Sequence, residues 1–282
     1  MTQLVRVDHR TGGGDQTLVD VECHDPVHLA DGLEAGDPAH VHRQGAVSSE
    51  AMRVHRLHLT DVTPSPDLPW ARPTFPVYAF LVEHADGPVL VDTGVGLGNE
   101  QIDKLYSPVH HDLDEALSRY DIGVSDVVAV ITSHLHFDHC GQNHRFPHAR
   151  VLVQRAEVEA AREPLYTVPE WAFPAGVELT EVDGDHELAP GIRIIATPGH
   201  TPGHQSVLIE DDDGQRTIAC CQASRDIESF DATVLGDDGW DQAAGAASAR
   251  LLHTFQPATV LLSHDSRAWR PGGASSETNA LT

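Results

Sequence analysis

An apolar run followed at once by a cluster of histidines constrains this chain more than any other feature. VSDVVAVIT (124–132) is typical of a buried strand, and SHLHFDHCG follows it directly. His134 and His136 are two residues apart, so in extended backbone they project to the same side. Asp138 and His139 come next, where the chain must turn. Four nitrogen and oxygen donors therefore converge at the end of a strand, which suits zinc or another borderline divalent ion.

Further histidines follow other apolar runs. TPGHTPGHQS places His200 in a turn after the strand IRIIATP, and His204 stands four residues later, where the next strand begins. One of these two is expected to be a metal ligand. LLSHDSRAW places His264 at the carboxyl end of another buried run, where α/β folds position their working residues. Histidines that recur at strand ends favour a metal site over core packing.

Strands with intervening helices begin near Met52 and predict an α/β fold in which sheets lie between helices. Residues 1–50 are rich in Gly, Asp and His and show little periodicity, so we expect an N-terminal arm or extension there. Two proline-rich stretches, 63–78 and 163–176, are expected to be surface loops. Their aromatic side chains favour loops that cover something apolar.

The charge of the chain excludes several classes of partner. Acidic residues outnumber basic ones by 43 to 18, which gives a net charge of -25 without a basic patch. Nucleic acids and anionic membrane surfaces are therefore not expected as partners. No stretch approaches the roughly 20 apolar residues of a membrane span, and the start lacks an apolar signal segment. We expect a cytoplasmic protein whose four cysteines are reduced thiols.

Other catalytic motifs are missing from the sequence. It contains no G-x-S-x-G elbow and no H-E-x-x-H pair, which disfavours serine hydrolases and zincin proteases. The glycine-rich GVGLG (94–98) is not G-x-G-x-x-G and is better explained as a loop. Redox chemistry on a dinucleotide is therefore not expected.

These motifs resemble those of the metallo-β-lactamase superfamily. HLHFDH matches its HxHxDH signature, and VDTG (91–94) and TPGHTPGHQS match its other landmarks. From about Met52 to Trp269 the chain is most similar to the N-acyl homoserine lactonases, which open the lactone of bacterial quorum signals. The resemblance implies a four-layer αβ/βα sandwich, with residues 51–282 as the hydrolase domain and the metal site at one edge of the sheets.

The resemblance also implies, position by position, the ligands of two ions. The first ion would be held by three imidazoles, those of His134, His136 and His200. The second would be held by one carboxylate and two imidazoles, those of Asp138, His139 and His264. We expect one or two zinc ions, with iron, manganese or cobalt as other candidates. Asp92 would orient the ligand histidines, and His204 would then be structural.

Two positions depart from the family pattern, and with Asp138 they are the candidate catalytic residues. Gln222 stands where the family has an aspartate that bridges both metals, and an uncharged amide bridges two cations poorly. The outcomes left open are a dinuclear site joined by hydroxide alone, a mononuclear site, and a protein without activity. Gln222 could instead donate its NH₂ group to the hydroxide or the substrate carbonyl. Arg225 replaces a tyrosine of the lactonases; it could stabilise an oxyanion, hold a carboxylate, or simply pair with Asp226 or Glu228.

The sequence thus predicts a metal-dependent hydrolase that opens a lactone or ester by attack of a metal-bound hydroxide. An N-acyl homoserine lactone is the first candidate among small, neutral, partly apolar substrates. Two alternatives remain: a hydrolase of another carbonyl substrate (a thioester, a β-lactam or a natural-product intermediate), and a metal-binding protein without turnover. The nuclease branches of the family are disfavoured by the charge of -25. A homodimer is left open, because many relatives form dimers.

Overall fold

Two seven-stranded sheets form the framework of the described chain, which comprises residues 52–68, 71–236, 239–272 and 276–277 of a computed structural model. The expected N-terminal arm, residues 1–50, lies outside the described residues. Among the described helices, none has the length and apolar character needed to cross a membrane.

The first sheet places the end of the strand before SHLHFDH at one edge. Its strands are β1 (Arg53–Val62), β2 (Phe75–Glu83), β3 (Val89–Val91), β4 (Val109–His110), β5 (Ala129–Ile131), β6 (Arg150–Gln154) and β7 (Leu179–Val182). They lie in the order β4-β1-β2-β3-β5-β6-β7. β3, β5, β6 and β7 are parallel, whereas β1 and β2 pair antiparallel with their neighbours. Since β3 and β5 are parallel, Asp92 and His134 leave the sheet at the same edge.

The second sheet brings three further site residues to one edge. Its strands are β8 (His186–Ala189), β9 (Ile192–Ala196), β10 (Gln205–Glu210), β11 (Arg216–Cys221), β12 (Thr259–Leu262), β13 (Arg267–Trp269) and β14 (Ser276–Glu277). They lie in the order β14-β13-β12-β11-β10-β9-β8. β10 is antiparallel to both β9 and β11, and β11 is parallel to β12. The strands that precede His200, Gln222 and His264 therefore run in one direction and end at one edge.

Short helices connect these strands. They are α1 (Glu100–Tyr106), α2 (Leu113–Ser118), α3 (Phe137–Cys140), α4 (Arg155–Ala160), α5 (Pro169–Ala172), α6 (Ile227–Asp231) and α7 (Gln242–Thr254). Asp112 and Asp241 cap the first turns of α2 and α7, where their carboxylates accept backbone N–H groups. Both stretches that were expected to be surface loops contain regular structure: residues 75–78 of the first belong to the central strand β2, and the second contains the four-residue α5. Proline begins that helix at its first position, where its missing N–H is not needed.

Apolar side chains pack in three layers between and outside the sheets. The facing sides of the two sheets share one core that includes Phe80, Ile131, Ile194 and Leu261. The other side of the first sheet packs on α2, and the other side of the second packs on α6 and α7. The order is thus helix, sheet, sheet, helix, which confirms the predicted αβ/βα sandwich.

Candidate metal centre

Three histidines that follow strands of the two sheets lie close together: His134 and His136 follow β5, and His200 follows β9. His136 Nδ1 lies 3.1 Å from His134 Nε2 and 3.1 Å from His200 Nε2. One ring nitrogen of each lies within 4.8 Å of the others, and we call these residues the three-histidine group. Burial, followed by the neighbouring histidines, holds the pKa of His134 well below its usual value. That ring is therefore neutral, which is the form that binds a metal ion.

A second group of donors begins at α3. Asp138 Oδ2 lies 3.7 Å from His139 Nε2 and 3.6 Å from His264 Nε2, and we call these three residues the mixed group. Both carboxylate oxygens of Asp138 and Nε2 of His139 are buried and have no hydrogen-bond partner in the part of the chain that is described. A buried carboxylate without a partner is costly. A divalent ion held by this group would satisfy all three atoms, so the residues fit the metal.

Hydrogen bonds on the far side of the rings orient the mixed group. His139 Nδ1 lies 2.8 Å from Asp92 Oδ2, and the backbone N–H and hydroxyl of Ser133 donate to the same carboxylate at 2.7 and 2.8 Å. His264 Nδ1 lies 3.0 Å from the Pro76 carbonyl. Because a carboxylate and a carbonyl only accept, each Nδ1 carries the proton. Each Nε2 is therefore the ring atom that would present its lone pair to a bound ion.

Gln222 lies inside the site. Its side chain is fully buried and its Oε1 is 3.2 Å from His264 Nε2. Burial lowers the pKa of His264 to about 3, so the ring carries one proton, which is on Nδ1. Two acceptor atoms, His264 Nε2 and Gln222 Oε1, therefore face each other. A cation between them, or a flipped amide that presents its NH₂ group, removes the conflict.

His204 supports the backbone at this position. Its Nε2 accepts the backbone N–H of Gln222 at 3.1 Å, and its Nδ1 lies 2.9 Å from the Thr197 hydroxyl. Both ring nitrogens are thus used within the protein. Of the two histidines in TPGHTPGH, His200 is the one that joins the donors.

Arg225, the third predicted catalytic residue, forms an ion pair with its neighbour in the chain. Its Nε lies 3.2 Å from Asp226 Oδ2, and its side chain is 44% exposed. Its backbone N–H donates to the Leu235 carbonyl at 2.8 Å. The ion pair with Asp226 is one of the outcomes left open by the sequence, and a role of Arg225 towards a substrate stays a prediction.

Glu157 is a site residue that the sequence reading missed. Its Oε1 accepts from Leu135 N at 2.8 Å and from the Tyr166 hydroxyl at 2.5 Å. Its Oε2 accepts from the Thr201 hydroxyl at 2.7 Å and from Gly203 N at 3.1 Å. One buried carboxylate thus joins the loop of His134 and His136 to the loop of His200. The sequence carries only a weak signal for this role, because Glu157 is one of several charged residues in AEVEAARE (156–163).

Aromatic rings lie against both groups of donors. Phe75 meets the His264 ring edge-on, with centroids 5.0 Å apart. Tyr166 lies against His136, also with centroids 5.0 Å apart. Both rings come from the two proline-rich stretches that were expected to cover something apolar. The donors are therefore bordered by apolar surface that suits an apolar part of a ligand.

Comparisons with known proteins agree with this architecture. The model of the metallo-beta-lactamase superfamily matches residues 72–264. An N-acyl homoserine lactonase of Bacillus sp is 37% identical over 168 residues, which are 55% of this chain and 67% of that protein. The N-acyl homoserine lactonase AttM of Rhizobium radiobacter is 29% identical over 224 residues, which are 69% of this chain and 83% of that protein.

Solved structures are similar over most of the described chain. A crystal structure of a B. thuringiensis AiiA mutant with N-decanoyl-L-homoserine bound at its active site has a TM-score of 0.64 and 28% identity. The similarity covers 77% of this chain and 94% of AiiA. Because the family model matches more than half of this chain, the chain belongs to the metallo-β-lactamase superfamily.

Proposed function

We propose that this protein is a metal-dependent hydrolase that opens the ester bond of a lactone, with N-acyl homoserine lactones as its first substrates. The observation that carries the proposal is the pair of adjacent donor groups at the sheet edge. Lactonases among the similar proteins supply the choice of bond. The fold and these relatives together support a metal-dependent hydrolase that acts on ester bonds.

The two donor groups define where the metal would be held. The three-histidine group would bind one ion and the mixed group a second, and their nitrogen and oxygen donors suit zinc. A bound divalent ion supplies Lewis acidity for a substrate carbonyl and lowers the pKa of a coordinated water from 15.7 to roughly 7. No serine nucleophile is then required.

The protein's own residues orient these donors and border them. Asp92 and the Pro76 carbonyl keep the Nδ1 protons of His139 and His264 away from the site. Phe75 and Tyr166 border the donors with apolar surface, which favours a small, neutral and partly apolar substrate. Asp138 is proposed to act as a ligand and an electrostatic anchor.

Gln222 is assigned a role towards the substrate. Its buried amide lies beside His264, and in this proposal its NH₂ group would donate to a carbonyl oxygen as negative charge develops there. An amide adds no charge to the site, so the two ions would share the single carboxylate of Asp138. This feature favours a second candidate function, the hydrolysis of another carbonyl compound such as a thioester or a β-lactam.

The test combines metal analysis with a substrate panel. The purified full chain is analysed for bound metal by mass spectrometry and assayed for acid release from acyl homoserine lactones, thioesters and β-lactams. We expect bound zinc and lactone opening. Loss of a group that only orients a metal ligand typically lowers activity about 10- to 100-fold, so we expect the loss of a ligand itself, in His134→Ala or His264→Ala, to lower activity at least about 100-fold. His148→Ala, at an exposed histidine, is the matched control.

Each outcome of the panel has a separate meaning. Bound metal with turnover of a thioester or β-lactam, but not of a lactone, would replace the first candidate by the second. Bound metal without any turnover would favour a metal-binding protein. The absence of bound metal in the purified protein would rule out both enzymatic candidates. The cytoplasmic location and the homodimer stay predictions beside this proposal.

A further inference from the structure

We propose that His58, Asp61 and His111 form a separate binding site for a divalent cation on the first sheet. One donor atom of each lies within 4.8 Å of the others. His58 Nε2 is 3.0 Å from Asp61 Oδ1, and His111 Nε2 is 3.1 Å from Asp61 Oδ2. None of these residues belongs to either donor group of the metal centre, so the inference is independent of the proposed hydrolase activity.

A β-bulge brings two of these side chains to the same face. In a regular strand, residues three positions apart project to opposite faces. In β1 the partners of His58 and Thr60 are consecutive residues of β2, so Leu59 is an extra residue in the pairing. Such an extra residue reverses the alternation. Leu59 and Thr60 are accordingly both buried, while His58 and Asp61 are both partly exposed.

The same bulge anchors the third donor. The carbonyl of Leu59 accepts the backbone N–H of His111 at 2.8 Å, and Thr60 pairs with His110 of β4. The rings of His58 and His111 lie with centroids 4.3 Å apart. Backbone geometry in β1 and directly after β4 therefore brings the three donors together, and no long flexible loop has to close around the ion. Bulges that aim side chains in this way are common beside functional sites.

The donor set and the charge of the chain favour a divalent transition metal. Two imidazoles and one carboxylate are ligands of zinc and nickel rather than of calcium or magnesium. The side chains of His58, Asp61 and His111 are 38%, 33% and 42% exposed, which leaves room for water to complete the coordination. The net charge of -25 raises the local concentration of cations. Because the site is partly exposed, its affinity should be lower than that of the buried centre.

Zinc binding to the full chain tests the proposal. The number of zinc ions per chain is measured by equilibrium dialysis at buffered free zinc, up to concentrations well above those that fill the buried centre. We expect His111→Gln and Asp61→Asn each to bind one ion fewer than the parent protein. His148→Gln, which removes an exposed histidine outside the cluster, should bind as many ions as the parent. All variants share the remaining histidines, so differences between them isolate this site.

Two variants and a second readout keep the result decisive. Far-ultraviolet circular dichroism reports whether each variant is folded. Zinc added to the protein with a filled buried centre should raise the melting temperature of the parent and of His148→Gln, but not of His111→Gln. Equal zinc counts and equal melting shifts in all proteins would show that the three side chains form only a hydrogen-bonded cluster, which overturns the proposal.

Discussion

Replacing Glu157 by glutamine should destabilise the fold and weaken metal binding by the three-histidine group. Each carboxylate oxygen of Glu157 accepts from one backbone N–H and one hydroxyl. Glutamine turns one of these oxygens into an NH₂ donor. The facing hydroxyl, of Tyr166 or Thr201, can rotate and accept, but the facing N–H, of Leu135 or Gly203, cannot. One buried N–H therefore loses its acceptor in either orientation of the amide.

The size of the effect follows from these four hydrogen bonds. A buried donor left without a partner costs about 1–3 kcal/mol, and the remaining bonds lose the strength that comes from a charged acceptor. Burial raises the pKa of Glu157, so removal of its charge returns part of this loss. We expect a net destabilisation of about 2 kcal/mol, which corresponds to a fall of roughly 4–8 °C in melting temperature for a domain of this size.

The assay separates a local effect from a general one. Urea denaturation gives the stability of Glu157→Gln, and dialysis against zinc buffers gives the affinity of each ion. We expect the ion of the three-histidine group to bind about 10-fold more weakly, with a smaller change for the other ion. Glu159→Gln, on the exposed side of the same helix, should stay within about 0.5 kcal/mol of the parent. Unchanged stability and zinc affinity in Glu157→Gln would refute the reasoning.

Three further substitutions test other parts of the structure. Gln222→Asp should tighten binding of the ion at the mixed group, because it adds a charged ligand beside His264; zinc dialysis and lactone kinetics should both change, and no change in either would contradict the placement. Gly141→Ala should destabilise the protein by at least about 1–3 kcal/mol, since the new Cβ would lie 1.9 Å from the Gly96 nitrogen, and urea denaturation measures this. Hydrogen bonds from Arg267 lower the pKa of the exposed Glu228, so the pair contributes at neutral pH at most about 1 kcal/mol, and this is lost as the pH falls below about 4. The urea midpoints of Glu228→Gln and the parent should therefore differ at pH 7 and converge on acidification; a constant difference would contradict the assignment.

The parts of the site that could be predicted are those encoded locally. His134, His136, Asp138 and His139 follow one buried strand within six positions, so strand geometry alone places them together. The position of His264 could be predicted only with one further rule, that the carboxyl ends of parallel strands lie at one edge of a sheet. The αβ/βα fold followed from the order of strands and helices and from the resemblance that the motifs carry.

The remaining parts depend on contacts between segments that are distant in the sequence. Glu157 acts through Leu135 and Gly203, which are 22 and 46 residues away. The bulge at Leu59 is defined by the register with β2, and alternation along β1 alone could not locate it. For Arg225 both a contact with substrate and an ion pair with its neighbour were open, and only the folded chain shows the pairing with Asp226. Long-range packing, which composition and periodicity do not encode, decides the first two, whereas Arg225 pairs with the next residue in the chain.

The two departures from the family pattern have different consequences for function. Arg225 points its charge at Asp226, so its replacement of a tyrosine does not by itself add a free cation to the metal centre. Gln222 is different, because His204 holds its backbone N–H and thereby fixes the position from which any side chain at residue 222 would extend. The fold thus sets the position of the side chain at residue 222, and the residue type sets its charge. The absence of a second carboxylate is therefore a property of one side chain, which a single substitution can reverse while the surrounding hydrogen bonds stay in place.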